Sequence, residues 1–153
     1  MRELIIYSKL IYGIVFWGGT WQKNLNPVIL VQKRIIRCMS FARKYDSTAG
    51  LFNQFNLLRF EYIYSYFCKL LGHKVIHCNY LRNIFSIVNH GQNTRGAGRN
   101  IELPNSRFTV VHKGFIHQIA QSWNSQQSSE KNILNLESYK RKIKYLLHLE
   151  QSS

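Results

Sequence analysis

The stretch NPVILVQKRIIRCMSFARKY, residues 26–45, constrains the fold most, because its apolar residues and its cations recur at helical spacing on opposite faces. Asn26 supplies a capping side chain. Pro27 supplies a first helical residue whose missing N–H costs nothing at that position. At about 100° per residue, Val28, Val31, Ile35, Cys38 and Met39 fall on one face and Lys33, Arg34 and Arg37 on the other. The first face needs a core to cover it. The second offers three cations, continued by Arg43 and Lys44. Gln32 falls on the apolar side and therefore requires a buried hydrogen-bond partner. A solvated basic face is the plain reading of this pattern, and a polyanion-binding face is the functional one.

The same periodicity appears along most of the chain. Residues 3–16 carry Leu4, Tyr7, Ile11, Ile14 and Val15 at helical spacing, and Gly18-Gly19 stops them between Trp17 and Trp21. Asp46, Ser47 or Thr48 caps a short helix through Phe55. A longer helix over 58–77 turns Phe60, Ile63, Tyr64, Phe67, Leu71 and Val75 inward. Its outer stripe holds Tyr62, Tyr66, Lys69 and His73. Such a stripe stacks on bases and pairs with phosphates if it stands free, or packs another helix through its tyrosine rings. Residues 80–88 read as a helical piece, 89–107 as an irregular surface loop, 108–111 as a short strand and 115–123 as a helix. Residues 124–132 read as a polar linker. The last helix takes Asn135 as its cap and Glu137 in its first turn. It sets Tyr139, Ile143, Leu146 and Leu147 inward and Lys140, Arg141 and Lys144 outward. The expected fold is mainly α, a small bundle of five to six helices with an irregular Arg/Gly-rich loop and at most a short β element. The 153 residues are read as one domain, with a helical half at 1–88, a basic loop at 89–112 and C-terminal helices at 113–150.

Charge decides which chemistry to look for. Twenty-one Lys and Arg stand against seven Asp and Glu, a formal net charge of +14, and Asp46 is the only aspartate. Two-metal nucleotidyl transfer needs clustered carboxylates, and acid–base catalysis needs a pair of them; six scattered glutamates and one aspartate supply neither. A Ser-His-Asp triad would have to use Asp46, and no nucleophile-elbow sequence is present. Cys68, His73, His77 and Cys78 lie close in sequence, but HKVIH lacks the glutamate of a zinc protease, and Cys68 and His73 point apart on a helix. TRGAGRN follows no strand and lacks the Lys-Ser/Thr pair of a P-loop. The apolar run near the N-terminus is interrupted by Ser8 and Lys9 and is too short to span a bilayer. Three cysteines without framework spacing fit a reduced, intracellular protein of the nucleus or cytoplasm.

A cation excess of this size calls for a polyanion, and phosphate is the commonest. The expected partner is RNA, DNA or both, with no membrane, no small-molecule substrate, no catalytic residue, and no metal or other cofactor held by this chain. Lys33, Arg34, Arg37, Arg43, Lys44, Lys69, Arg95, Arg99 and Arg107 are the candidate phosphate contacts, with Tyr62 and Tyr66 as candidate stacking groups. Nothing marks base-specific readout, so binding through the phosphate backbone is expected.

Several strings in order also resemble a known family. YSKLIYGIVFWGG (residues 7–19) and QKRIIR (32–37) are similar to the segment after the polymerase domain in jockey-like non-LTR retrotransposon reverse transcriptases. STAGLF (47–52) with Leu57-Leu58 and Tyr62 or Tyr64 resembles the next block. Thr94-Arg95, Leu103-Pro104 with Arg107, Trp123-Asn124 and SYKRKIKYLL (138–147) resemble the closing ones. The chain departs from that pattern at 47–50, where the family carries proline. It departs again at Phe108, where the family has threonine, and at Gln126-Gln127, where it has Leu-Pro. The resemblance implies descent from an RNA-directed DNA polymerase whose palm, with its paired aspartates and Mg2+, lies upstream of this region. It assigns no catalytic residue here. It implies contact with template RNA or target DNA, or packing on the rest of the reverse transcriptase.

Overall fold

The computed structural model describes residues 8, 11–88 and 99–152. Among them the chain forms eight helices: α1 (Ile14–Trp17), α2 (Gln22–Met39), α3 (Ala49–Gln54), α4 (Phe60–His77), α5 (Thr109–Lys113), α6 (Phe115–Asn124), α7 (Ser128–Lys131) and α8 (Leu136–Ser152). The described residues contain no strand. One isolated antiparallel bridge joins Ile87 to Ile101. The mainly helical class is therefore as expected, with more short helices than the periodicity marked.

Helix α4 is the axis on which α1, α2, α6 and α8 pack. Its ends suit its dipole, with Glu61 in the first turn and Lys74 and His77 in the last. Phe60, Ile63, Cys68 and Val75 are buried along it, facing Ile119, Ala120 and Trp123 of α6 and Tyr139, Ile143 and Leu147 of α8. Gly72 permits a close approach to α6: a Cβ there would stand 2.8 Å from the Cβ of Trp123. The Trp123 indole also donates to the Arg99 carbonyl (2.8 Å), and the Asn124 side chain pairs with both backbone groups of Ile101. These bonds hold residues 99–101 against α6.

Two glutamines from distant helices fix the start of α4. Gln32 of α2 accepts the Phe60 N–H (2.9 Å) and donates to the Leu58 carbonyl (3.0 Å). Gln151 of α8 accepts the Arg59 N–H (2.8 Å) and donates to Leu57 O and Asn53 Oδ1. A helix N-terminus exposes N–H groups without intrahelical partners, and here side chains remote in sequence supply them.

Gln32 also settles the rotation of α2, which differs from the expected one. The buried residues are Leu25, Gln32 and Ile36, with Val28 and Ile29 partly covered. Val31 and Cys38, expected inside, are exposed. The apolar residues of this helix span an arc wider than one packing face, from Cys38 and Val31 round to Leu25 and Ile36, so more than one rotation would cover part of it. The polar tie chooses among its faces. The helix also begins before Asn26, so Pro27 is internal. The surrounding turn is exposed, and water can take the Lys23 carbonyl that proline leaves unpaired.

Other expectations are corrected. Residues 80–88 form turns with Asn79 and Leu81 at positive φ, followed by the bridge at Ile87. Ile101 of the expected surface loop is buried. Residues 108–111 enter α5 rather than a strand. The expected linker at 124–132 contains α7 and is tied down: Gln126 accepts the Tyr139 hydroxyl (2.6 Å), and Lys131 Nζ donates to Asn100 Oδ1 and Asn124 O. Gly13, at φ 62°, separates α1 from the residues before it. Leu4 and Tyr7 of the expected first helix, and residues 89–98 of the loop, lie outside the described residues. The last helix matches its expectation, with Asn135 Oδ1 accepting the Ser138 N–H (3.0 Å).

His73 was expected on the outer stripe and is fully buried. The segment leading to α8 folds back over the end of α4, so His73 Nε2 donates to Ile133 O (2.7 Å) and the ring stacks on Tyr139 at 4.3 Å. His77 makes the parallel contact to Lys131 O. Burial lowers the pKa of His73 and the neighbouring His77 lowers it further, against the raising effect of the Ile133 carbonyl. Its Nδ1 has no partner among the described residues, so a second proton would sit there without an acceptor from them. A histidine base with a depressed folded pKa stabilises the fold fully above its unfolded pKa, and that stability is lost as pH falls below it. Melting temperature is expected to fall from about pH 7.5 to 5, and less steeply in His73→Gln, which cannot charge. Equal slopes for the two proteins would remove His73 as the cause.

Candidate nucleic-acid interface

The C-terminal half of α2 and the loop after it carry five of the candidate cations. Arg37 Nε donates to the Asp46 carbonyl (3.0 Å), while the Arg43 N–H donates to Asp46 Oδ2 (2.7 Å) and the Asp46 N–H returns to Arg43 O (3.1 Å). The only aspartate in the chain thus folds the loop that carries Arg43 and Lys44. Lys33, one turn before Arg37, lines the cavity behind this loop. Arg34 is exposed about half a turn from the buried stripe of α2.

Two further residues of this loop escaped the sequence reading. Phe41 and Tyr45 are 96% and 88% exposed, either side of Arg43 and Lys44. Phe41 ends α2 at φ 53°, with the Ala42 N–H closing on Arg37 O (3.0 Å). This helix-terminating geometry ordinarily selects glycine, and a bulky aromatic in it is strained. Lys44 Nζ lies 5.5 Å from the Tyr45 ring centroid. The sequence signal was FARKY, two aromatics four apart enclosing two cations. Periodicity ends the helix near Phe41 and singles out only Arg43 and Lys44 in this string, as phosphate contacts.

The outer stripe of α4 is not a free platform. Tyr62, Tyr66 and Lys69 are half-buried towards α8: Tyr62 donates to Glu150 O (3.3 Å), and Lys69 O accepts the Tyr139 hydroxyl (3.2 Å). Tyr66 packs edge-on against Phe67. Burial raises the Tyr66 pKa, and the nearby Lys140 pulls it back. The helix-packing alternative for this stripe is the arrangement found. Arg99 and Arg107 are exposed in the second half of the chain, and Arg95 lies outside the described residues.

Lys140 with Glu137 forms the only ion pair among the described residues. Lys131 is withdrawn from the surface, and burial lowers its pKa against the raising effect of Glu130. Arg141, Lys142 and Lys144 are exposed on α8. Cys68 is buried beside Tyr64, and burial pushes its thiol up to about 12, far from a nucleophile's range.

Protein-family models, curated proteins and solved structures give no match to the chain. Among the described residues no group of three or more His, Cys, Asp and Glu is placed to hold a metal ion. No described helix is long and apolar enough to cross a membrane.

Proposed function

We propose that the chain is a C-terminal segment of a retrotransposon RNA-directed DNA polymerase that binds nucleic acid without catalysing its synthesis. The observation that carries the binding is the loop at residues 41–45, where two exposed aromatic rings bracket two cations on a folded support. The rings suit stacking on unpaired bases, and the cations, with Lys33, Arg34 and Arg37, suit phosphates. Base stacking with backbone pairing gives little sequence preference, and single-stranded or structured RNA offers the unstacked bases that regular duplex withholds. Descent from a reverse transcriptase rests on the sequence resemblance alone.

The test is fluorescence anisotropy of the full chain on single-stranded RNA and duplex DNA across a salt series. With about five phosphates neutralised, log K falls with log salt at a slope of about −4 to −5 on duplex and somewhat less on single strands. Lys33→Ala/Arg34→Ala/Arg37→Ala lowers that slope by about 2–3, and Phe41→Ala weakens single-strand binding by about tenfold with little change of slope. Affinity independent of salt, or unchanged by both variants, would remove this surface from the binding site.

A second reading is favoured by a different observation. Tyr12, Phe16, Phe108 and Val110 are strongly exposed, and α5 buries none of its residues. Phe16 makes a tilted ring contact with Phe115 at the start of α6, next to α5. Exposed apolar groups of this kind fit a module that packs on the missing polymerase thumb. Self-association in size-exclusion chromatography that persists at high salt would favour it over the nucleic-acid reading.

A further inference from the structure

A cavity of about 280 Å3 lies between α2, α3 and the start of α4, lined in part by Gln32, Lys33, Ser47, Thr48, Arg59 and Glu61. Its polar groups are largely uncommitted. Thr48 occupies the N-cap position of α3 but makes no capping hydrogen bond, although only 8% of it is exposed. Ser47 Oγ accepts the Ala49 N–H (3.4 Å), which leaves its own proton to donate. Among the described residues Lys33 and Arg59 pair with no carboxylate, and the Arg59 guanidinium lies 5.9 Å from the Phe52 ring centroid. The Arg59 and Phe60 N–H groups are already taken by Gln151 and Gln32, so a ligand would be held by side chains and not by the helix terminus.

From this lining we infer that the cavity takes the terminal phosphate of a nucleic-acid strand, an assignment that rests on the nucleic-acid reading above. Two cations and two hydroxyl donors match a phosphate monoester, which carries about −1.5 to −2 charges and several strong acceptors. The volume exceeds a lone phosphate and approaches the lower end of small-ligand pockets, about 300 Å3, leaving room for the attached sugar. Glu61 offers the acceptor that a sugar hydroxyl needs. An internal diester carries a single charge and would have to turn its chain into and out of a recess, whereas a strand end enters directly. The loop at 41–45 leads into Ser47 and Thr48, so a strand stacked on Phe41 and Tyr45 has its end beside the cavity.

The test compares one short single-stranded RNA with a 5′-phosphate, a 3′-phosphate or neither, by anisotropy on the full chain. One phosphorylated end is expected to bind about tenfold tighter than the unphosphorylated strand. Thr48→Val, which removes a hydroxyl no helix uses, and Arg59→Gln each erase that gain. Equal affinity for all three strands overturns the inference and leaves the nucleic-acid reading standing. Should no strand bind, that reading falls, and thermal melting with 5′-AMP, adenosine or inorganic phosphate decides the cavity separately. A melting temperature raised by 5′-AMP alone, and not in Thr48→Val, supports a nucleotide-end site. Inorganic phosphate acting as well as 5′-AMP, or no rise with any of them, overturns it.

Discussion

Trp123→Ala is expected to lower the free energy of unfolding by about 3–5 kcal/mol, the range for deleting a large aromatic from a packed core. Trp123 is fully buried between α4 and α8, with Gly72 under its Cβ and the rings of His73, His77 and Tyr139 around it. Its indole N–H is also the tie to Arg99 O, so truncation leaves that carbonyl without its donor and loosens residues 99–101 from α6. Shrinkage around the site is opposed by Gly72, which has no side chain to swing into the space. Urea unfolding followed by circular dichroism measures the loss. A change below about 1 kcal/mol would mean that α6 does not pack on α4 as described.

Gln32→Leu is expected to cost about 2–4 kcal/mol although it adds apolar surface to a buried position. The amide serves two backbone groups at the start of α4, the Phe60 N–H and the Leu58 carbonyl. Leucine fills a similar volume but leaves the Phe60 N–H buried without its acceptor, at roughly 1–3 kcal/mol, and withdraws the Gln32 donor from the Leu58 carbonyl, at about 1 kcal/mol more. Periodicity alone predicts the opposite sign, since leucine completes an apolar face. Urea unfolding with amide exchange at Phe60 separates the two expectations. A neutral or stabilising Gln32→Leu, with Phe60 still protected, would show that water or a shifted backbone replaces the amide.

What was legible follows from how local each determinant is. The last helix was read almost residue for residue, because Asn135, Tyr139, Ile143 and Leu147 carry a cap and a narrow stripe whose signals agree. The long helices are legible, but the covered face of α2 is not, since its apolar arc is wider than one packing face and periodicity does not choose between Val31/Cys38 and Leu25/Ile36. His73 was misplaced for a related reason: an imidazole is at home in water or in a core, and the residues that bury it lie some sixty positions on. Phe41 was missed because no local rule expects an aromatic in a left-handed helix end.

By itself the sequence determined that the chain is helical, that its cations greatly outnumber its carboxylates, and that Gln32 requires a buried partner. These depend on composition and on neighbours within a few residues. Only the tertiary structure decided which face of each helix is covered, that two glutamines from opposite ends of the chain hold the start of α4, and that Lys33, Thr48 and Arg59 meet around one cavity. Those depend on contacts between segments far apart in the chain, where a few directional hydrogen bonds choose among packings that burial alone leaves nearly equal.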